Sequence, residues 1–131
     1  ARLSPYIVAM GPFFAREIGD VRTLGLVVLE KHINTRGFVH GGFLCSMADI
    51  AIGYQIAFGT KPPLPLVTAN LSVDFAGSAR LGDWLECRVD VQKVGGRLAF
   101  ANAYICRGAG DGAERIVRAS AIFARADAPK D

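Results

Sequence analysis

Cysteine and histidine are scarce in this chain of 131 residues. The three cysteines, Cys45, Cys87 and Cys106, are odd in number and have no Cys-x-x-Cys spacing, so neither a disulfide framework nor a cysteine zinc site is encoded. The two histidines, His32 and His40, have no third ligand at metal-site spacing. We therefore expect a protein without metal or cofactor in a reducing compartment, the cytoplasm.

Runs of like charge and long uninterrupted apolar runs are missing as well. The net charge is only +3 and basic residues alternate with acidic ones, which argues against a nucleic-acid partner but leaves room for an anionic small molecule. The longest apolar stretch, residues 41–59, carries Asp49 near its centre, and a central aspartate is costly in a bilayer. We expect no membrane partner.

Repeats, low-complexity segments and linkers are also lacking, so residues 1–131 are expected to form a single domain. Hydrophobic residues make up 51% of the chain, an excess that hints at a further buried surface such as an oligomer interface.

Hydrophobic periodicity predicts one hairpin, one helix and an antiparallel meander. The predicted strands are 13–19, 24–31, 66–75, 84–93, 98–107 and 115–125, and the predicted helix is 41–58. In the strand 66–75, Val67, Ala69, Leu71, Val73 and Phe75 are expected on one face, and Thr68, Asn70, Ser72 and Asp74 on the other. The expected fold is α+β, with one long buried helix wrapped by a curved antiparallel sheet.

The segment that opens this helix carries the chemistry. His40, Gly41 and Gly42 precede or begin the helix, where first-turn amides are unpaired and the helix dipole is positive. Glycine has no Cβ, so a ligand carbonyl can approach these amides as in an oxyanion hole. The alternative is that the glycine pair only forms a tight entry turn.

Asp49 is the only charged residue between His40 and Lys61. A carboxylate on a helix built for burial needs a partner or a use, so Asp49 is either capped by neighbouring groups or acts as a general base or nucleophile. Gly41 and Asp49 are separated by about 12 Å of helix rise, too far for both to contact one reacting carbonyl. Two helices packed antiparallel about a twofold axis would bring them together, which predicts an obligate homodimer with two composite sites.

The pattern formed by Asn34, Gly37, the segment 40–42 and Asp49 resembles the hotdog-fold acyl-CoA thioesterases, in particular the phenylacetate-degradation (PaaI-like) branch. The similarity extends over residues 24–125 and includes Gly82 and the turn at 93–97. The resemblance implies hydrolysis of an acyl-CoA to a carboxylic acid and free CoA.

The resemblance also assigns roles to individual residues. Gly41 would polarise the thioester carbonyl, Asp49 would activate water or attack directly, and Asn34 would orient the carbonyl or the water. His40 would support the loop, and Thr68 would help to hold the water. A further group would bind substrate, chiefly the nucleotide of CoA: Lys93, Gly95, Gly96 and Arg97 in one turn, with Arg80, Gly42 and Asn70. Family members commonly assemble as dimers of dimers.

Two other functions remain open at this point. A hotdog hydratase or dehydratase could use His40 with Asp49 to move protons on an enoyl thioester, although Asn34 and the glycine pair fit water attack better. A non-catalytic acyl-CoA-binding domain would have no use for Asp49. Serine-hydrolase chemistry has little support, because no Gly-x-Ser-x-Gly elbow is present.

Overall fold

A computed structural model describes residues 3–128 and contains one six-stranded antiparallel sheet with one long helix packed on it. The elements in chain order are helix α1 Pro5–Met10, strands β1 Phe14–Ile18 and β2 Val21–Val27, a 3-10 turn Glu30–His32, helix α2 Gly41–Ala57, and strands β3 Leu66–Phe75, β4 Trp84–Val94, β5 Leu98–Arg107 and β6 Glu114–Arg125. The predicted α+β architecture is confirmed.

The strand order is β1-β2-β4-β5-β6-β3, and every neighbouring pair is antiparallel. The predicted meander is therefore correct for β4, β5 and β6 but wrong for β3, which pairs with β6. This happens because α2 crosses one face of the sheet between β2 and β3, so the chain returns at the far edge. β3 is left as an edge strand of ten residues.

The core lies between α2 and the face of the sheet that it covers. Small side chains on the covered face of β5 and β6 allow the helix to approach the sheet closely. They are Ala99, Ala101, Ala103, Ala119 and Ala121. Met47 and Ile52 of α2 are fully buried above the sheet, whereas Cys45, Asp49 and Tyr54 are only partly buried. The helix is thus buried on one face in the single chain and not all round as predicted.

Two local elements differ from the prediction near the N-terminus. The second strand ends at Val27 rather than at residue 31, because the 3-10 turn is closed by a bond from the Leu29 amide to His32 Nδ1 (2.9 Å). Helix α1 was not predicted. Its N-cap is Ser4, whose hydroxyl accepts a hydrogen bond from the Ile7 amide.

A β-bulge in β3 changes which side chains face α2. The register shifts between Thr68, paired with Phe123, and Asn70, paired with Ile122. The extra residue, Ala69, reverses the inside-outside alternation, as bulges do. The prediction that Thr68 and Asn70 share one face of this strand is therefore wrong. Thr68 lies on the same face as buried Phe123, and Asn70 lies on the opposite face.

None of the helices within residues 3–128 is long and apolar enough to cross a membrane.

Candidate active site

Asn34 organises the loop that leads into α2. Its side-chain Oδ1 accepts hydrogen bonds from the backbone amides of Arg36 (2.9 Å) and Phe38 (3.1 Å). The backbone amide of Asn34 donates to the Phe38 carbonyl (2.7 Å). Gly37 lies inside this loop with φ of 85°, a left-handed conformation that favours glycine. Because Oδ1 is occupied by the loop, the Nδ2 group of Asn34 is the part that is able to donate to a ligand.

His40 caps the start of α2 and decides which amide stays free. Its Nδ1 accepts a hydrogen bond from the Gly42 amide (3.0 Å), and its carbonyl accepts from the amides of Phe43 and Leu44. Among residues 3–128, the Gly41 amide is thus the only one in the first turn of this helix without a hydrogen-bond partner. Of the several free amides expected in this turn, only the Gly41 amide is free in the described residues, and His40 contacts the helix start through both its ring and its carbonyl.

Phe75 was not identified from the sequence as a site residue. A methyl group placed on Gly41 would lie 3.5 Å from the Phe75 ring, so the aromatic side chain borders the helix start in ordinary contact distance. The ring is about half exposed, at 52%. Phe75 therefore offers an apolar wall beside the free amide; its inward position at the end of β3 was the only available signal.

Asp49 and Thr68 are brought together within one chain. The Thr68 hydroxyl donates to Asp49 Oδ1 at 2.6 Å, and the bulge in β3 is what turns this hydroxyl toward the helix. Asp49 is only partly buried. The carboxylate thus has the hydroxyl cap considered above, while its second oxygen remains available for chemistry.

One chain carries two separated half-sites. Asn34 and Gly41 lie in the entry loop and at the first residue of α2. Asp49 lies eight residues beyond Gly41 along the helix, about 12 Å by the helix rise, and Thr68 is bonded to it from β3. Within one chain, the structure does not bring these two pairs together at a single reacting atom.

The N-terminal segment packs over the first turns of α2. The Tyr6 hydroxyl lies 2.5 Å from the Ser46 hydroxyl, which in turn donates to the Gly42 carbonyl (3.2 Å). The rings of Phe13 and Phe43 are stacked with centres 6.3 Å apart. This packing was not predicted from the sequence, because it depends on contacts between residues far apart in the chain.

His32, which the sequence left without a catalytic role, anchors the same segment. Its ring is buried, with Nδ1 accepting from the Leu29 amide and Nε2 lying 2.6 Å from the Met10 carbonyl. Burial lowers the pKa of His32 and the Lys31 charge adds to this effect, while the bond to Met10 opposes it. A neutral ring that donates from Nε2 satisfies both contacts.

The turn expected to bind the CoA nucleotide is a compact hairpin turn. The Gly95 amide donates to the Leu98 carbonyl (2.8 Å), and neither Gly95 nor Gly96 has the left-handed backbone found in many anion-binding nests. Lys93 and Arg97 are exposed on this turn. Its backbone is therefore largely committed to the hairpin, and the two cations are what it offers to a phosphate.

The remaining predicted contacts lie in two different places. Arg80 pairs through its backbone with Phe38, and its guanidinium carbon lies 4.4 Å from the Phe38 ring centre. Asn70 lies on the face of the sheet away from α2, where its Oδ1 accepts from the Ser72 hydroxyl (3.3 Å). Arg80 thus lies beside the Asn34 loop, and Asn70 lies away from both half-sites.

Comparisons with known proteins identify the family of this chain. The family model described as the thioesterase superfamily matches residues 36–113. A provisionally named esterase of Pseudomonas aeruginosa is 44% identical over 124 residues, covering 93% of this chain and 89% of that protein. Acyl-coenzyme A thioesterase 13 of Mus musculus is 28% identical over 75 residues, covering 57% of this chain and 53% of that protein.

Solved structures share the fold at low sequence identity. A hypothetical thioesterase of Streptococcus pneumoniae with coenzyme A superposes with a TM-score of 0.82 at 16% identity, covering 94% of this chain and 93% of that one. The PaaI protein of the Escherichia coli phenylacetic acid degradation operon gives a TM-score of 0.82 at 18% identity, covering 95% and 86%. The chain belongs to the thioesterase superfamily and is a thioester hydrolase with the hotdog fold.

Proposed function

We propose that the protein hydrolyses acyl-CoA thioesters to a carboxylic acid and free CoA at two composite sites of a homodimer. The observation that carries this proposal is the separation of one free helix-start amide, at Gly41, from one hydroxyl-supported carboxylate, at Asp49. CoA as the thiol is supported by the Streptococcus pneumoniae structure with coenzyme A and by the mouse acyl-coenzyme A thioesterase.

The helix start supplies the electrophilic half of each site. In the proposed mechanism the Gly41 amide donates to the thioester carbonyl oxygen, where negative charge develops as the tetrahedral intermediate forms. The positive end of the α2 dipole stabilises the same charge. Asn34 adds a second donor from Nδ2, because its Oδ1 is already occupied by the loop amides.

Asp49 supplies the nucleophilic half. As a general base, it takes a proton from water, hydroxide adds to the carbonyl carbon, the carbon–sulfur bond breaks, and the proton passes to the departing thiolate. As a nucleophile, it displaces the thiolate to form a mixed anhydride that water then hydrolyses. The hydrogen bond from Thr68 to Oδ1 leaves Oδ2 to act in either route.

Dimer formation places the two halves together. If Gly41 faces the partner subunit's Asp49 and the reverse also holds, the twofold axis passes beside Cys45, midway between them. Gly41, Cys45 and Asp49 are spaced by four residues and therefore lie along one side of α2. None of these three residues is fully buried in the single chain. The unpaired edge of β3 supports association on the same side. Assembly of two dimers into a tetramer stays an expectation from the resemblance.

Some predicted contacts do not enter this mechanism. The Gly42 amide is bonded to His40, and Asn70 lies on the far face of the sheet, so neither contacts the reacting carbonyl in the proposal. The bond from Gly42 also occupies His40 Nδ1, which weighs against a hydratase in which this histidine moves protons. Lys93 and Arg97, with Gly95 and Gly96, stay a proposed contact for the CoA nucleotide.

The direct test is thiol release from a panel of acyl-CoA substrates, with the wild type beside Asp49→Ala. We expect release of free CoA by the wild type and its loss in the variant, with circular dichroism showing the fold intact in both. Unchanged turnover in Asp49→Ala would remove this residue from the mechanism. Water addition to an enoyl-CoA without thiol release would favour the hydratase instead.

A further inference from the structure

Two arginines converge on one aromatic ring beside the Asn34 loop. The guanidinium carbon of Arg80 lies 4.4 Å from the centre of the Phe38 ring, and that of Arg36 lies 5.9 Å from it. Phe38 and Arg80 also pair through their backbones as an isolated antiparallel bridge. Their relative position is therefore fixed by the main chain and not only by flexible side chains.

Neither arginine forms an ion pair with an acidic residue in the part of the chain that the structure describes. The ion pairs found there involve Arg22, Arg88, Arg107, Arg118 and Arg125. Asp83, the acid of the neighbouring turn, accepts from the Arg80 backbone amide at 2.8 Å and is thus directed to the main chain. Within residues 3–128 neither guanidinium therefore has an acidic partner, and a bound anion would supply the missing countercharge.

We propose that Arg36, Phe38 and Arg80 form a phosphate-binding subsite for the CoA portion of the substrate, on the same chain as Gly41. This rests on the proposed acyl-CoA hydrolysis. Guanidinium groups present planar donors that match phosphate oxygens, and stacking on an aromatic ring orients those donors.

The distance along the chain suits this role. Arg36 precedes Gly41 by five residues, which limits their separation to about 17 Å even for a fully extended chain. The pantetheine arm of CoA separates the thioester from the pyrophosphate, so a phosphate subsite must lie outside the catalytic centre but within reach of it. The loop between Arg36 and Gly41 meets both conditions.

A second location for phosphate contacts is the turn that carries Lys93 and Arg97, which the resemblance assigns to the CoA nucleotide. Leu98 and Val67 both pair with Ala124, so this turn lies at the Thr68 end of its own chain, on the side of the Asp49 half-site and not of the Gly41 half-site. Its Gly95 amide is used within the turn. The two locations can be tested separately, because the positive charges of one can be removed by substitution without changing the other.

The experiment compares two substrates with the same acyl group, one on CoA and one on N-acetylcysteamine, which lacks phosphates. Steady-state constants are measured for the wild type, for Arg36→Gln with Arg80→Gln, and for Lys93→Gln with Arg97→Gln. Arg16→Gln, an exposed arginine on β1, is the control for loss of one positive charge away from both locations. Binding of free CoA and of adenosine 3′,5′-bisphosphate is measured by calorimetry on the same proteins.

We expect the Arg36 and Arg80 double variant to lose about tenfold or more in kcat/KM for the CoA substrate, mainly through KM. Turnover of the phosphate-free substrate should stay within about twofold of the wild type, and bisphosphate binding should weaken in parallel. Misfolding would lower both substrates equally, so the ratio isolates the phosphate contact.

An unchanged ratio in this variant, or a changed ratio only in the Lys93 and Arg97 variant, would overturn the subsite. Absence of any thioester turnover by the wild type would instead contradict the proposed function. In that case, calorimetry still decides the subsite, because equal CoA and bisphosphate binding by the wild type and the Arg36 and Arg80 variant would refute it.

Discussion

The Thr68 hydroxyl donates a hydrogen bond to the Asp49 carboxylate at 2.6 Å, although the two residues lie on different elements and are 19 positions apart. The bulge at Ala69 makes this contact possible by turning Thr68 toward α2. The proposed base or nucleophile is therefore held in one orientation by its own chain.

Removal of that hydroxyl tests its role. Thr68→Val keeps the side-chain shape but removes the donor, and we expect kcat to fall by about tenfold or more, the effect of one hydrogen bond to a charged group. Thr68→Ser retains the donor and should keep most of the activity. Equal activity of the valine and serine variants in steady-state assays would show that the contact is only structural.

Gly41→Pro removes the proposed oxyanion donor without disrupting the helix. Gly41 is the first helical residue, where proline is favoured, and His40 has φ of −65° and ψ of 133°, the extended conformation preferred before proline. We expect kcat to fall by about 10²–10³-fold with little change in thermal stability. Gly41→Ala keeps the amide and fits beside Phe75, so it is the control for side-chain bulk. Full activity of the proline variant would exclude the Gly41 amide from catalysis.

Mixed dimers test the composite site. Asp49→Ala and Asn34→Ala chains, each inactive alone, should recover about a quarter of the wild-type activity after random subunit exchange, since half of the dimers are mixed and each has one intact site. Asp49→Ala mixed with Thr68→Val should show no such recovery, because both changes affect the same half-site. Recovery in neither mixture would mean that Asn34 and Asp49 act from one chain.

Cys45 reports directly on the helix arrangement. Helix axes 8–10 Å apart, with Cα atoms about 2.3 Å from each axis, would bring the two Cys45 Cα atoms within disulfide range across the twofold axis. Mild oxidation should therefore yield a covalent dimer on non-reducing gels. Cys45→Ser should abolish it, because Cys87 and Cys106 are buried. A dimer in solution that never cross-links through Cys45 would contradict the antiparallel packing.

The buried imidazole of His32 predicts how stability depends on pH. Burial lowers the pKa of His32 below its usual 6.5 in the folded protein, so the unfolded chain takes up the proton first as pH falls. The free energy of unfolding should be highest above pH 6.5 and should decrease as pH falls from there to the lowered pKa of the folded state. Urea unfolding across this range measures the slope, and His32→Gln should flatten it. An equal slope in both proteins would assign the dependence to other groups.

The local features of the site could be predicted from sequence. The run from Gly41 to Ala57 has the length and composition of a buried helix, and Gly37 marks a turn that requires a left-handed residue. A free amide at the helix start also follows from local geometry. Only the structure showed that His40 binds the Gly42 amide and thereby leaves the Gly41 amide free. These features depend on residues a few positions apart, whose interactions are the same in most tertiary settings.

Long-range pairing decided the rest. The pairing of β3 with β6, the bulge that turns Thr68 toward Asp49, the contact of Tyr6 with Ser46, and the convergence of Arg36 and Arg80 on Phe38 all join residues on different elements. Alternation of apolar and polar residues indicates that a strand exists, but not which strand it pairs with or where one extra residue interrupts the register. Such choices depend on the packing of the whole sheet against α2, and the tertiary structure alone determined them.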